Sequence, residues 1–214
     1  MANSEVLDLV DDTFSSQNLA PFAKKTWAAT GGLVEGIPLI CGGRYNSSNY
    51  YDDECYSITK ALTSLVTTMS SKRGYAASVV LEKKLWIMAG YNGYSYLKSS
   101  EYIQISSGST PGPDLPYAVA GHAAVAWSST SFSLTGGHDG GYLSKTFYYH
   151  EDNPEWIPGP EMKQAKYGHA AGLGMDQATN DPYIAVTGGL YSGRLDSVEL
   201  LYEGETEWQA GKPQ

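Results

Sequence analysis

The 214-residue sequence predicts an all-β fold assembled from four-stranded antiparallel units, and three observations carry that expectation. There are 24 Gly and 17 Tyr with only 17% charged residues, a composition of tight turns and strand formers. The apolar runs have strand length, and polar or glycine-rich turns bound them. A pair of small residues closes such a run four times, in PLICGG ending at Gly43, LWIMAG at Gly90, FSLTGG at Gly137 and IAVTGG at Gly189, at steps of 47, 47 and 52 residues.

The first strand of each unit follows TWAA at 26 to 29, GYAA at 74 to 77, GHAA at 121 to 124 and GHAA at 168 to 171, which places Trp27, Tyr75, His122 and His169 in one column. The tiny pairs Ala76-Ala77 and Ala123-Ala124 suit a crowded innermost strand. The second strand ends in the small pair, where turn dihedrals and close backbone approach favour glycine. The longer last step is absorbed by MDQATNDP, residues 175 to 182, an enlarged turn. Third strands are EVLDL, CYSIT, EYIQI, TFYYH and VELLY, near residues 5, 55, 101, 146 and 198. The fourth is a weaker column ending at Leu19, Met69, Leu115 and Met162, with Trp156 and Trp208 as further markers.

One domain over 4–214 follows, with a half-unit at 4–23 and units at about 24–69, 70–115, 116–162 and 163–214. A unit of this size cannot bury its apolar face alone, so neighbours must stack. Stacking around an axis yields a β-propeller of four blades plus a surplus half-unit. A longer repeat array, or a homo-oligomer in which two chains cover the unmatched edge, are the alternatives.

With these columns the sequence resembles the kelch-repeat family. The matching features are the double glycines at 42–43, 136–137 and 188–189, the variant Ala89-Gly90, and the later aromatics Tyr56, Tyr148 and Trp156. The likeness spans nearly the whole chain and departs where Ala89 replaces the first glycine. It implies a propeller of four-stranded blades. Its copper-radical oxidase members use a ligand set that the histidines here are too few to match. No BTB or BACK domain accompanies the repeats, so the adaptor role of many kelch proteins is not carried over.

The formal charge of −9 repels a phosphate backbone and anionic membranes, which argues against nucleic-acid and membrane partners. No basic start followed by an apolar run opens the chain, pointing to a cytoplasmic protein unless a signal has been removed. Cys41 and Cys55 bear on this. They flank one loop and would form a disulfide in an oxidising compartment, or stay as two buried thiols in a reducing one. Asn46-Ser47-Ser48 is a glycosylation sequon that matters only in the secretory case.

Function is expected on the loops between second and third strands, which share one end of the molecule. They are RYNSSNYYDDE from Arg44, YNGYSYLKSS from Tyr91, HDGGYLSK from His138 and LYSGRLDS from Leu190. Tyr45, Tyr50, Tyr51, Tyr91, Tyr94, Tyr96, Tyr142 and Tyr191 are candidate aromatic anchors, with Arg44, His138, Asp139 and Arg194 supplying polar selectivity. The expectation is a non-catalytic module for a protein partner. A carbohydrate-binding module is the alternative, since aromatic faces stack on sugars, and a glycan-processing enzyme using Asp139, Asp196 or Glu199 comes third. A purely structural repeat completed by oligomerisation is the fourth. Catalytic residues, metal ligands and cofactors are not expected, because no phosphate loop, HExxH or GxSxG occurs and His122 and His169 occupy a packing column.

Overall fold

The computed structural model describes residues 6–8, 13–15, 26–45, 50–59 and 62–211. Leu19 and Asn46 lie outside the described residues. The fold is all-β, as expected. Four consecutive four-stranded antiparallel sheets carry it, each with its strands in chain order.

The first sheet comprises Thr30–Val34, Ile37–Cys41, Glu54–Ile58 and Thr63–Thr68. The second comprises Ala77–Leu81, Lys84–Tyr91, Tyr96–Gln104 and Gly108–Pro111. The third is built from Ala123–Ala126, Ser131–Thr135, Thr146–His150 and Asn153–Pro158. The fourth takes Ala170–Met175, Pro182–Thr187, Val198–Tyr202 and Gln209–Ala210. A short three-stranded sheet of Thr26–Trp27, Arg44–Tyr45 and Tyr50–Tyr51 folds part of the first long loop. The surplus N-terminal segment pairs with itself, Val6–Asp8 against Thr13–Ser15.

Burial explains why residues 85–90, within Lys84–Tyr91, form an unbroken apolar run. Leu85 and Ile87 pack with Leu39, Cys41 and Cys55 of the first sheet, whereas Trp86 and Met88 pack with Phe132, Leu134 and Tyr149 of the third. A strand covered on both faces has no polar side to show. Trp86, Phe132, Tyr149 and Trp156 form an aromatic knot with ring centroids 5.0 to 5.9 Å apart. Each such pair adds about 0.5–1.5 kcal/mol beyond its buried area. The third junction is closed by Val125, Met162, Ile184, Val186, Leu201 and Trp208.

The propeller expected from the repeats is not what the structure contains. The sheets are separate and unclosed. First strands touch in sequence, Thr30–Val34 with Ala77–Leu81, Ala77–Leu81 with Ala123–Ala126, and Ala123–Ala126 with Ala170–Met175. Among the described residues no comparable contact joins the fourth sheet to the first. The two end sheets accordingly leave apolar side chains in water, Leu33 at 60% and Leu173 at 47% exposure. The kelch assignment and the ring of blades are therefore corrected to an open row of antiparallel sheets. The physical reason is locality: a repeat fixes a unit and its junction with the next, while closure depends on the summed rotation over all junctions, which no residue pattern records.

The small pairs are explained by backbone dihedrals. The first position sits at φ 62°, 53°, 60° and 67° in Gly42, Ala89, Gly136 and Gly188, a left-handed region that alanine can enter at modest cost. The second sits at 103°, 104°, 107° and 92° in Gly43, Gly90, Gly137 and Gly189, where only glycine is at ease. Hence the departure at Ala89 falls on the permissive member of the pair.

The structure also shifts one column. Backbone bonds step from unit to unit, with Tyr75 N–H donating to Ala28 O at 2.9 Å, Gly121 N–H to Tyr75 O at 2.8 Å and Gly168 N–H to Gly121 O at 2.8 Å. Ala28, Tyr75, Gly121 and Gly168 are thus equivalent, all at φ between 54° and 63°. His122 and His169 correspond to Ala29 and Ala76, one residue past Tyr75 and two past Trp27, with which the sequence columns matched them. The close approaches of Gly43 to Ala29, Gly90 to Ala76, Gly137 to His122 and Gly189 to His169 confirm the register.

Candidate functional site

The residue after each small pair bridges to the residue entering the same unit's first strand: Arg44 with Trp27, Tyr91 with Gly74, His138 with Ala120 and Leu190 with Tyr167. These bridges draw the loop bases together at one end of the row. Between them lies a recess of about 320 Å³ lined by Tyr51, Tyr75, Tyr91, Tyr96, Tyr142, Tyr167 and His138, with Ala120 and Leu190 completing the wall. Small residues seat the rings. A Cβ on Gly74 would meet the Tyr51 ring, and one on Gly121 would strike Tyr167.

The rings touch in a chain. Tyr51 meets Tyr91 at 5.6 Å, Tyr91 meets Tyr96 at 5.3 Å, and Tyr96 meets His138 at 5.7 Å. His138 in turn meets Tyr142 at 5.3 Å and Tyr167 at 5.8 Å, and Tyr167 meets Tyr75 at 6.4 Å. Neighbouring planes are inclined by 42° to 81°, so the wall is curved and no flat shelf is formed. The Gly140 N–H donates to His138 Nδ1 at 3.2 Å, and the Tyr96 hydroxyl lies 2.7 Å from the same atom. A backbone N–H can only donate, so Nδ1 is an acceptor and the neutral ring carries its proton on Nε2. Burial, foremost, pushes the phenol pKa of Tyr51, Tyr96 and Tyr167 upward, keeping these hydroxyls neutral.

Of the residues singled out in the sequence, Tyr51, Tyr91, Tyr96, His138 and Tyr142 line the recess. Tyr191 stands beside it, its ring 5.3 Å from Tyr142. Tyr94 projects into solvent at 93% exposure, while Tyr45 and Tyr50 sit exposed on the short hairpin. The Arg44 guanidinium stacks 4.9 Å over Trp27. Asp139 is exposed and accepts the Gly141 N–H at 3.2 Å, and Arg194 is exposed. Tyr75 and Tyr167 were missed because they precede first strands and do not lie in the long loops. Each is next to a glycine in the sequence, Gly74 before Tyr75 and Gly168 after Tyr167, and that was the signal available.

The three carboxylates considered for glycan chemistry are differently employed. Glu199 is buried, 2.9 Å from Lys166 Nζ, and its Oε2 accepts the Lys163 N–H at 2.6 Å. Asp139 and Asp196 are exposed. Among the described residues no cluster of three or more His, Cys, Asp or Glu could hold a metal ion, and no helix is long and apolar enough to cross a membrane. Cys41 and Cys55, opposite each other in register, form a disulfide with Cα atoms 4.0 Å apart, which ties the base of the first loop. A larger hollow of about 540 Å³ opens at the outer strands of the third and fourth sheets, walled by Trp127, Tyr148, Ile157 and the Glu203–Thr206 turn.

No family model matches the chain, and no curated protein matches it. What defines the site is therefore its own geometry.

Proposed function

We propose that the protein is a non-catalytic interaction module that takes a side chain of a protein partner into the tyrosine-lined recess. The observation that supports this is the convergence of six tyrosines from all four units on one concavity of about 320 Å³. That is the size of a small ligand pocket, and aromatic-walled hollows rimmed by hydroxyl groups are where interfaces concentrate binding energy. Exposed Tyr94, Tyr50 and Tyr191 extend an amphipathic rim around it. The carbohydrate reading asks for a flat aromatic shelf with polar groups converging on it, and the inclined rings do not favour one.

The test compares wild type with Tyr142→Ala in the wall and Tyr94→Ala on the rim, each checked for an unchanged melting temperature, against immobilised glycans and candidate partner proteins in parallel. A protein retained by wild type and Tyr94→Ala but lost by Tyr142→Ala, about tenfold or more in affinity, is expected of a wall residue acting as an anchor. A glycan showing that same sensitivity would overturn the reading in favour of sugar binding.

A further inference from the structure

The recess has a chemical preference, and its assignment rests on the reading of the recess as the partner-binding site. We propose that the group it accepts is a cation, the ammonium or guanidinium of a basic side chain on the partner. The lining contains no Lys, Arg, Asp or Glu, so nothing within it neutralises or repels a positive charge by direct pairing. What it offers is ring quadrupoles, whose negative faces attract cations, most strongly where water is excluded.

The curvature of the wall decides between a cation and a flat ligand. Rings inclined to their neighbours by 42° to 81° form no flat shelf for a pyranose to stack on, whereas a compact ammonium head can lie against several of them at once. Four of the chain's own cations lie over other rings. Arg44 lies over Trp27, Lys72 lies 4.6 Å over Tyr50, Lys84 over Tyr102 and Lys145 over Tyr117. These four rings lie outside the recess, and Arg44 also acts electrostatically on Tyr51 at the edge of its wall. A formal charge of −9 draws basic segments toward the molecule at long range. Neutral phenols mean that the attraction does not come from phenolate, so it should survive moderate salt better than a surface ion pair.

The experiment titrates the full chain with three probes while following tyrosine ring resonances: a short peptide carrying trimethyllysine, the same peptide with the uncharged carbon isostere, and phosphatidylcholine vesicles. Tyr142→Leu removes a ring and Tyr142→Phe retains it. The charged peptide is expected to bind about tenfold more tightly than its isostere, with Tyr142→Phe retaining that ratio and Tyr142→Leu shrinking it. Equal binding of the two peptides would overturn the cation assignment and leave the recess as a binding site for apolar groups. Failure of both peptides to move any recess resonance would overturn the binding reading as well. Vesicle binding that is lost in Tyr142→Leu would overturn the peptide assignment in favour of a lipid head group.

Discussion

His122 and His169 make the protein acid-labile, by an amount the structure lets one work out. Both rings are buried between sheets. His122 has no hydrogen-bond partner for either ring nitrogen among the described residues, and His169 Nε2 lies 2.9 Å from Thr135 Oγ1. Burial first and the neighbouring His169 second lower the His122 pKa from 6.5 to about 3, while burial and then Lys166 lower that of His169 to about 4. A depressed pKa on a base means that the unfolded chain binds protons more readily than the folded one. The associated stability is therefore complete above about pH 6.5 and drains away as the pH falls toward the folded values. From about pH 7 to about pH 5 each ring forfeits roughly 2 kcal/mol, about 4 kcal/mol together. For a chain of this length that corresponds to a fall in Tm of about 8–16 °C. Thermal denaturation followed by circular dichroism at the two pH values reads this directly. His122→Phe should remove about half of the pH-dependent drop, and any packing cost of the larger ring cancels in the comparison between pH values. A wild-type Tm that is flat over this interval, or a His122→Phe drop as large as that of wild type, would refute the reasoning.

Three further outcomes follow from the interior. Arg73 is buried and donates to Ala89 O, Ser99 O and Glu101 Oε1, the last at 2.7 Å, while Glu101 also accepts from Ser70. Arg73→Met should cost about 3–5 kcal/mol in urea denaturation by stranding a buried carboxylate, and adding Glu101→Leu should recover much of it. Replacing both Cys41 and Cys55 with Ser opens a loop of 14 residues' separation and should cost about 3 kcal/mol, read as a lower urea midpoint; an unchanged midpoint would show that the bridge contributes nothing. Gly137→Val places a branched side chain at φ 107° against Val119 and should abolish cooperative melting, and a wild-type spectrum with a wild-type Tm would contradict the dihedral account.

Much of the local structure was legible in the sequence because its causes are local. The length of LWIMAG and the turns around it specify a strand, and the small pairs specify its end, since their dihedrals belong to the residues themselves. The approach of Cys41 to Cys55 was legible as one of two outcomes, because antiparallel neighbours joined by one loop face each other. The glycine column matched His122 and His169 one residue out of register with Tyr75 and two out with Trp27. Short runs of Gly and Ala align equally well at two offsets, and only the hydrogen bonds between units choose between them.

The candidate site divides the same way. Composition alone marks Tyr91, Tyr96 and Tyr142 as unusual, because tyrosine clusters in turns where strand packing does not demand it. Which rings share a wall is a tertiary fact: Tyr75 and Tyr167 join it from the other ends of their units, while Tyr94, from the same loop as Tyr96, points away into solvent. The sequence by itself determined the strands, the antiparallel unit and the order of the units, all set by contacts between residues near one another in the chain. The tertiary structure decided whether the row closes and which aromatics meet. Both depend on rotations accumulated across sheet junctions, to which every interior side chain contributes and which no single motif encodes.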